Sequence, residues 1–152
     1  MLQHIPTLDD IQATAKRITP IIHRTPVLTS ASLDALSGAK IFFKCENFQK
    51  IGAFKMRGAS SVGTLLAEEV RKKGLATHSS GNHAQAVALT AKMLGVPAYI
   101  VMPTNAPQVK KNAVLGYGAT VIDCEPTIEA RKATLAETVE KTGAYFIPPY
   151  ND

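Results

Sequence analysis

The chain has 152 residues, a formal net charge of +5, and 45% hydrophobic and 19% charged residues. That length supports one domain with a real core, in a composition ordinary for a globular protein. It excludes a membrane-span reading, since no apolar run approaches the ~20 residues needed, and it argues against nucleic acid, since the basic residues are scattered with no interleaved aromatics for base stacking.

Met1-Leu2-Gln3-His4-Ile5-Pro6 lacks the basic start and apolar stretch of a signal peptide. Thr7-Leu8-Asp9-Asp10 reads as a capping box that starts a helix running to about Ile18, with Pro20 as a stop. Arg24-Thr25-Pro26-Val27 reads as extended, because a residue before proline avoids the helical region. Lys40 to Cys45 reads as a strand carrying Ile41, Phe42 and Phe43. Ala53 to about Glu69 reads as one helix, with Gly58 allowing close approach of a neighbour.

From Gly74 the rhythm becomes regular. Leu75 to His78 is a strand, Asn82 to Leu94 a helix closed by Gly95, and Ala98 to Met102 an apolar strand. A helix follows Pro107 and ends near Gly116. Ala119 to Asp123 is a strand. Thr127 caps a helix whose Ile128, Leu135 and Val139 share a face, Gly143 ends it, and Ala144 to Ile147 is a last strand. The alternation predicts an α/β fold: a small open parallel sheet with helices on both faces, joined by right-handed crossovers. The strand near Phe42 lacks obvious partners in that sheet. The tail Pro148-Pro149-Tyr150-Asn151-Asp152 reads as a connection to something further.

Cys45 and Cys124 fit no metal or redox spacing and are expected as reduced thiols in strands, which points to the cytoplasm. Arg71-Lys72-Lys73 and Lys110-Lys111 are expected on solvated helix positions. His78 and His83 have no third ligand nearby in sequence, so no metal is expected there. His23 is expected to be a hydrogen-bonded residue. Gly116-Tyr117-Gly118 is a helix end before a strand.

Two runs carry chemistry. In Lys44-Cys45-Glu46-Asn47-Phe48-Gln49-Lys50-Ile51-Gly52-Ala53-Phe54-Lys55-Met56-Arg57-Gly58-Ala59 a strand enters a glycine turn, which delivers Lys55 at the start of a helix. Apolar neighbours Phe54 and Met56 and the nearby cation Arg57 are the means by which a lysine amine becomes a nucleophile. Alone, such a lysine is more often a surface charge. In Ser79-Ser80-Gly81-Asn82-His83-Ala84-Gln85, serine hydroxyls sit beside the amides of a helix start, which suits an anion such as an α-carboxylate. Alone, this run is more often a serine N-cap.

Together the two runs resemble the pyridoxal-phosphate enzymes of the serine/threonine dehydratase and serine racemase family, over essentially the whole chain. The resemblance implies the tryptophan-synthase-β-like fold type II. Residues 1–68 would be an incomplete portion of a large domain and residues 74–152 a small α/β domain. It implies that Lys55 bonds the cofactor aldehyde and that Phe54 packs beside the cofactor ring. Asn82 would bond its phenolic oxygen, and Ser79, Ser80, Gly81, Asn82 and His83 would grip the substrate carboxylate. Ser80 matches the opposite-face acid/base of the racemases.

The implied reaction is deamination of L-serine or L-threonine to a 2-oxo acid and ammonia, with serine racemase as runner-up and 3-hydroxyaspartate dehydration as a further alternative. The resemblance also implies a homodimer and an ATP effector near Lys110, Asn112 and Tyr117. Family members continue for about as long again. The phosphate-binding glycine loop, the partner of the pyridine nitrogen and the ligands for Mg2+ or Ca2+ would lie in that remainder. These 152 residues alone are therefore expected to bind the cofactor poorly. A different class of reading is a folded binding or interaction module that keeps the sites only as ancestry.

Overall fold

A computed structural model describes residues 5–150. Helix α1 (Leu8–Ile18) opens with the expected capping box: Asp10 N donates to Thr7 Oγ1 at 3.3 Å and Thr7 N donates to the Asp10 carboxylate at 2.8 Å. Arg17, in its last turn, reaches Thr64 Oγ1 at 3.0 Å and Ser61 Oγ at 3.4 Å, fastening α1 to a later helix.

The N-terminal region is less regular than expected. Strands β1 (Val27–Leu28) and β2 (Phe43–Lys44) pair antiparallel as a separate two-stranded ribbon. The strand expected from Lys40 to Cys45 shrinks to two residues. Ile41 N is taken by Asp34 Oδ1 at 2.8 Å, and at the other end Cys45 N still reaches the Pro26 carbonyl at 3.0 Å, but Pro26 has no N–H to return and the ladder stops there. Between the strands lies α2 (Ala31–Ser37), unforeseen in the sequence, capped by Ser30 and closed by left-handed Gly38. Its shortness hides its period.

The single helix expected from Ala53 to Glu69 is two. Helix α3 (Lys55–Leu65) ends where Leu66 turns extended at ψ 139° and packs on the core, and α4 (Glu68–Lys72) follows. Gly58 has no neighbour to admit. The close approach is at Gly63, where a Cβ would come 2.8 Å from Thr90 Cγ2.

The second region follows the expected pattern. Strands β3 (Leu75–His78), β4 (Ala98–Pro103), β5 (Thr120–Cys124) and β6 (Tyr145–Phe146) form one parallel sheet in the order β5-β4-β3-β6. Helices α5 (Asn82–Leu94), α6 (Gln108–Gly116) and α7 (Ile128–Thr142) make the crossovers. Strand alternation divides the core between two faces. Leu75, Ile100 and Met102 pack with α5, with Ala59 of α3 and with Val114 of α6. Ala76 and Val101 pack with Leu135 of α7. Of the α7 face expected from sequence, Leu135 is buried, while Ile128 is 62% exposed.

Cys45 and Cys124 are free and buried; Cys124 closes β5, but Cys45 lies just past β2. His23 is exposed and pairs through Nδ1 with the Phe48 carbonyl at 3.1 Å. One surface expectation fails. Lys111 is only 13% exposed and pairs with Asp123 Oδ1 at 2.6 Å, because α6 lies across the end of β5. None of the described helices is long and apolar enough to cross a membrane.

Candidate active site

In the sheet order, β3 has β4 on one side and β6 on the other. The chain leaves β3 for β4 and returns beside β3 only at β6, so a crevice opens at the carboxyl ends of β3 and β6. Ligands of open α/β sheets bind at such a switch point. The Ser79–Gly81 loop leaves β3 there, and the Ile147–Tyr150 segment leaves β6 beside it.

Lys55 reaches the same place from α3. Before it, two short 310 turns (Glu46–Phe48 and Lys50–Gly52) contain Ile51 at φ 60° and Gly52 at φ 72°. A β-branched residue at positive φ costs about 1–3 kcal/mol, so the surroundings must enforce it. Buried Gln49 does so. Its Oε1 accepts from His23 N at 2.8 Å and Lys50 N at 3.0 Å, and its Nε2 donates to the His23 carbonyl at 2.9 Å. Sequence reading passed over Gln49, whose one side-chain amide satisfies three backbone groups once it is buried.

The Lys55 side chain is half-buried. Nζ donates to the Pro149 carbonyl at 2.7 Å and stands 5.4 Å and 5.8 Å from the ring centroids of Phe54 and Tyr150. Arg57, expected to act on Lys55 as a neighbouring cation, is instead committed to Glu46. Its Nε and Nη2 donate to the two carboxylate oxygens at 2.8 Å and 2.7 Å, and Thr25 Oγ1 adds a third donor at 2.6 Å. That grip, chiefly the Arg57 hydrogen bonds, holds the Glu46 carboxyl at about 2. The Glu46–Arg57 pair was not singled out in the sequence; its eleven-residue separation gives no local signal.

Helix α5 starts at Asn82 with Gly81 as N-cap and no side-chain cap. A serine N-cap is therefore not the use of this loop. Ser79 Oγ instead accepts from Gly81 N at 3.2 Å, inside the loop, and the helix start keeps donors free for an anion.

The expected site residues divide between two cavities. Ser79, Ser80 and Gly81 line an open cleft of about 1180 Å3, with Arg131, Lys132 and the Ile128–Leu135–Val139 face of α7 opposite them. Phe54, Lys55 and His83 line a smaller cavity of about 330 Å3. Pro148, Pro149 and Tyr150 belong to both walls. Asn82 is exposed in the first turn of α5 and is outside both linings. Buried His83 pairs through Nε2 with the Ile147 carbonyl at 3.0 Å, and His78 stacks on Phe146 at 5.9 Å. Burial, and to a smaller extent the nearby Lys55 charge, lowers the affinity of His83 for a proton.

Arg131 is the cleft residue the sequence reading missed. Its Nε is buried without a hydrogen-bond partner among the described residues. Arg131 also sets a positive charge in the wall of that cleft, where an anion would meet it.

These features fit an aldehyde cofactor and an amino acid: a held primary amine between two aromatic rings, beside a helix start with uncapped donors. The comparisons agree. The family described as Pyridoxal-phosphate dependent enzyme matches residues 18–152. The chain belongs to that family.

A β-hydroxyaspartate dehydratase of Paracoccus denitrificans is 48% identical over 149 residues, covering 98% of this chain and 47% of that protein. The structure of maize serine racemase superposes with TM-score 0.95 at 50% identity, covering 98% of this chain and 45% of that one. A threonine deaminase from T.th. superposes with TM-score 0.88 at 45% identity, over 97% and 46%. The chain spans about half the length of the curated relatives it matches.

Proposed function

We propose that this chain forms part of a pyridoxal-phosphate-dependent lyase that converts L-serine or L-threonine to a 2-oxo acid and ammonia. The observation that carries this reading is one backbone segment, Pro148–Tyr150, with a held lysine amine on one side and a serine-lined helix start on the other. Residues 74–152 would be the small α/β domain and residues 1–68 part of a larger one, with Ala59 and Gly63 of α3 seated on α5.

When bound, pyridoxal phosphate supplies an aldehyde carbon for the amine and a ring that takes up the electron pair left at the substrate Cα. The Lys55 amine would take the Cα proton. The Ser79–His83 loop and the α5 start hold the α-carboxylate against that motion. Phe54 covers one side of the Lys55 amine, and Asn82 is assigned to the cofactor's phenolic oxygen by family resemblance. The β-hydroxyl leaves with a proton as water. One water then returns as the product hydrolyses, so serine gives pyruvate and ammonia in balance. In a racemase, Ser80 would instead return a proton to the opposite face. A divalent cation, a homodimer and an ATP effector belong to this proposal through the resemblance alone.

A second reading is favoured by Arg131. Its guanidinium group belongs to the wall of the cleft that Ser79–Gly81 line, and a substrate with a second carboxylate, such as 3-hydroxyaspartate, would pair with that charge. The experiment is borohydride trapping with pyridoxal phosphate, peptide mass to locate the adduct, and assay of 2-oxo acid and D-serine. An adduct on Lys55 supports the reading. Adducts spread over exposed lysines, with Lys55 spared, would sink it.

A further inference from the structure

The side chain of His83 has no part in the anion-binding scheme above, which uses the backbone of its loop. It is nonetheless buried, and its environment is specific. Nε2 lies 3.0 Å from the Ile147 carbonyl. The same carbonyl accepts from buried Thr77 Oγ1 at 2.9 Å, and Ile147 N donates to the Ala76 carbonyl at 2.9 Å. Both lone pairs of that oxygen are therefore filled, one by a strand residue and one by the first turn of α5. Two residues on, Pro149 offers its carbonyl to Lys55 at 2.7 Å.

A carbonyl only accepts, so Nε2 carries the ring proton. Burial keeps the ring neutral, which leaves Nδ1 bare. Ile147 and Pro149 are joined through Pro148, so two adjacent peptide units include proline rings with fixed φ. A displacement of the Ile147 carbonyl is passed along this stiff segment to the Pro149 carbonyl with little loss.

We infer that His83 is a positioning residue: its Nε2–H fixes the Ile147 carbonyl, and the Ile147–Pro149 segment so fixed orients the Lys55 amine. His83 thereby couples the loop that holds the carboxylate to the lysine that moves the proton. The inference rests on the proposed function only for the chemistry assigned to Lys55; the coupling itself is a property of the chain.

The test is nitrogen and carbon NMR on the chain with labelled histidine and lysine. In the unsubstituted protein, His83 should show a protonated Nε2 and a bare Nδ1. The Lys55 Cε signal, assigned by its loss in Lys55→Ala, should be displaced by the Phe54 and Tyr150 rings. His83→Leu should move that signal toward those of exposed lysines. His83→Gln, whose amide can occupy the Nε2 position, should restore it. The rate of Lys55 adduct formation with pyridoxal phosphate should fall about tenfold in His83→Leu and recover in His83→Gln, the scale on which a misplaced reacting group registers.

A ring protonated at Nδ1 alone overturns the inference, and this result needs no variant to fold. So does a Lys55 signal unmoved in His83→Leu, or moved equally in both variants. Expected NMR behaviour without any Lys55 adduct in the unsubstituted full-length protein would leave the His83 role standing and remove the cofactor reading instead.

Discussion

Glu46 holds Arg57 with both carboxylate oxygens, at 2.8 Å and 2.7 Å, across the turn that delivers Lys55. The pair brackets the left-handed Ile51–Gly52 step and ties the first 310 turn to the first turn of α3. Glu46→Gln should cost about 1.5–3 kcal/mol, the range for a hydrogen bond to a charged group. The folded carboxyl sits at about 2 against an ordinary 4.5, a depressed value. Its contribution is therefore full above 4.5 and is lost as pH falls through about 2. Melts of both proteins should differ near neutrality and converge toward the acid end; a constant gap would refute the assignment.

Gly63→Ala should destabilise the chain although alanine is the better helix former. The new Cβ would meet Thr90 Cγ2 at 2.8 Å and Leu94 Cδ1 at 3.1 Å. Overpacking costs about 1–3 kcal/mol, against a helix gain of about 1. Thr90 is stiff at χ1 and buried, so it yields poorly. Adding Thr90→Ser, which removes Cγ2, should recover most of the loss in a thermal melt.

Acidification should weaken the fold in the histidine range. Burial lowers the proton affinity of both His83 and His78, assisted by Lys55 and His78 in the first case and by Arg131 and Lys132 in the second. The unfolded chain takes up protons at about 6.5 that the folded chain resists, so stability is present above that value and falls below it. Denaturant midpoints measured on either side of that value, at about one unit above and one below, give the slope. His83→Gln should flatten it, and an unchanged slope would assign it elsewhere.

In the full-length protein, Lys55→Ala should abolish both the trapped cofactor adduct at this site and turnover of serine or threonine. Retained turnover in that variant would end the proposed mechanism, because among the described residues no other lysine lines the 330 Å3 cavity.

Arg131→Leu should separate the two substrate readings. If a second carboxylate binds there, activity on 3-hydroxyaspartate should fall about 10-fold or more relative to serine, as expected for one lost charged hydrogen bond. Equal losses on both substrates would mean that Arg131 serves the wall of the cleft rather than the substrate.

Much of this was legible in the sequence where local signals are strong. Gly95 and Gly143 end α5 and α7 in the left-handed conformation, and Thr7 and Thr127 cap as their types predict. The sheet of the second region followed from strand–helix rhythm. Illegible were features decided at long range. Leu66 breaks a helix because the core draws it in. Glu46 and not solvent receives Arg57. Gly63 faces Thr90, which no pattern within α3 reveals. For the site, Lys55 and the serine loop were legible through their motifs, whereas Arg131, Gln49 and the carbonyl of Pro149 were not. Their roles come from burial and from backbone groups, which a list of side chains does not contain.

The Pro148–Tyr150 segment walls both cavities. A substitution there cannot act on the larger cleft alone, because the lysine side shares the same wall. Variation that reshapes the cleft is thus steered to its far wall, on α7, where Ile128 and Arg131 line it away from the amine.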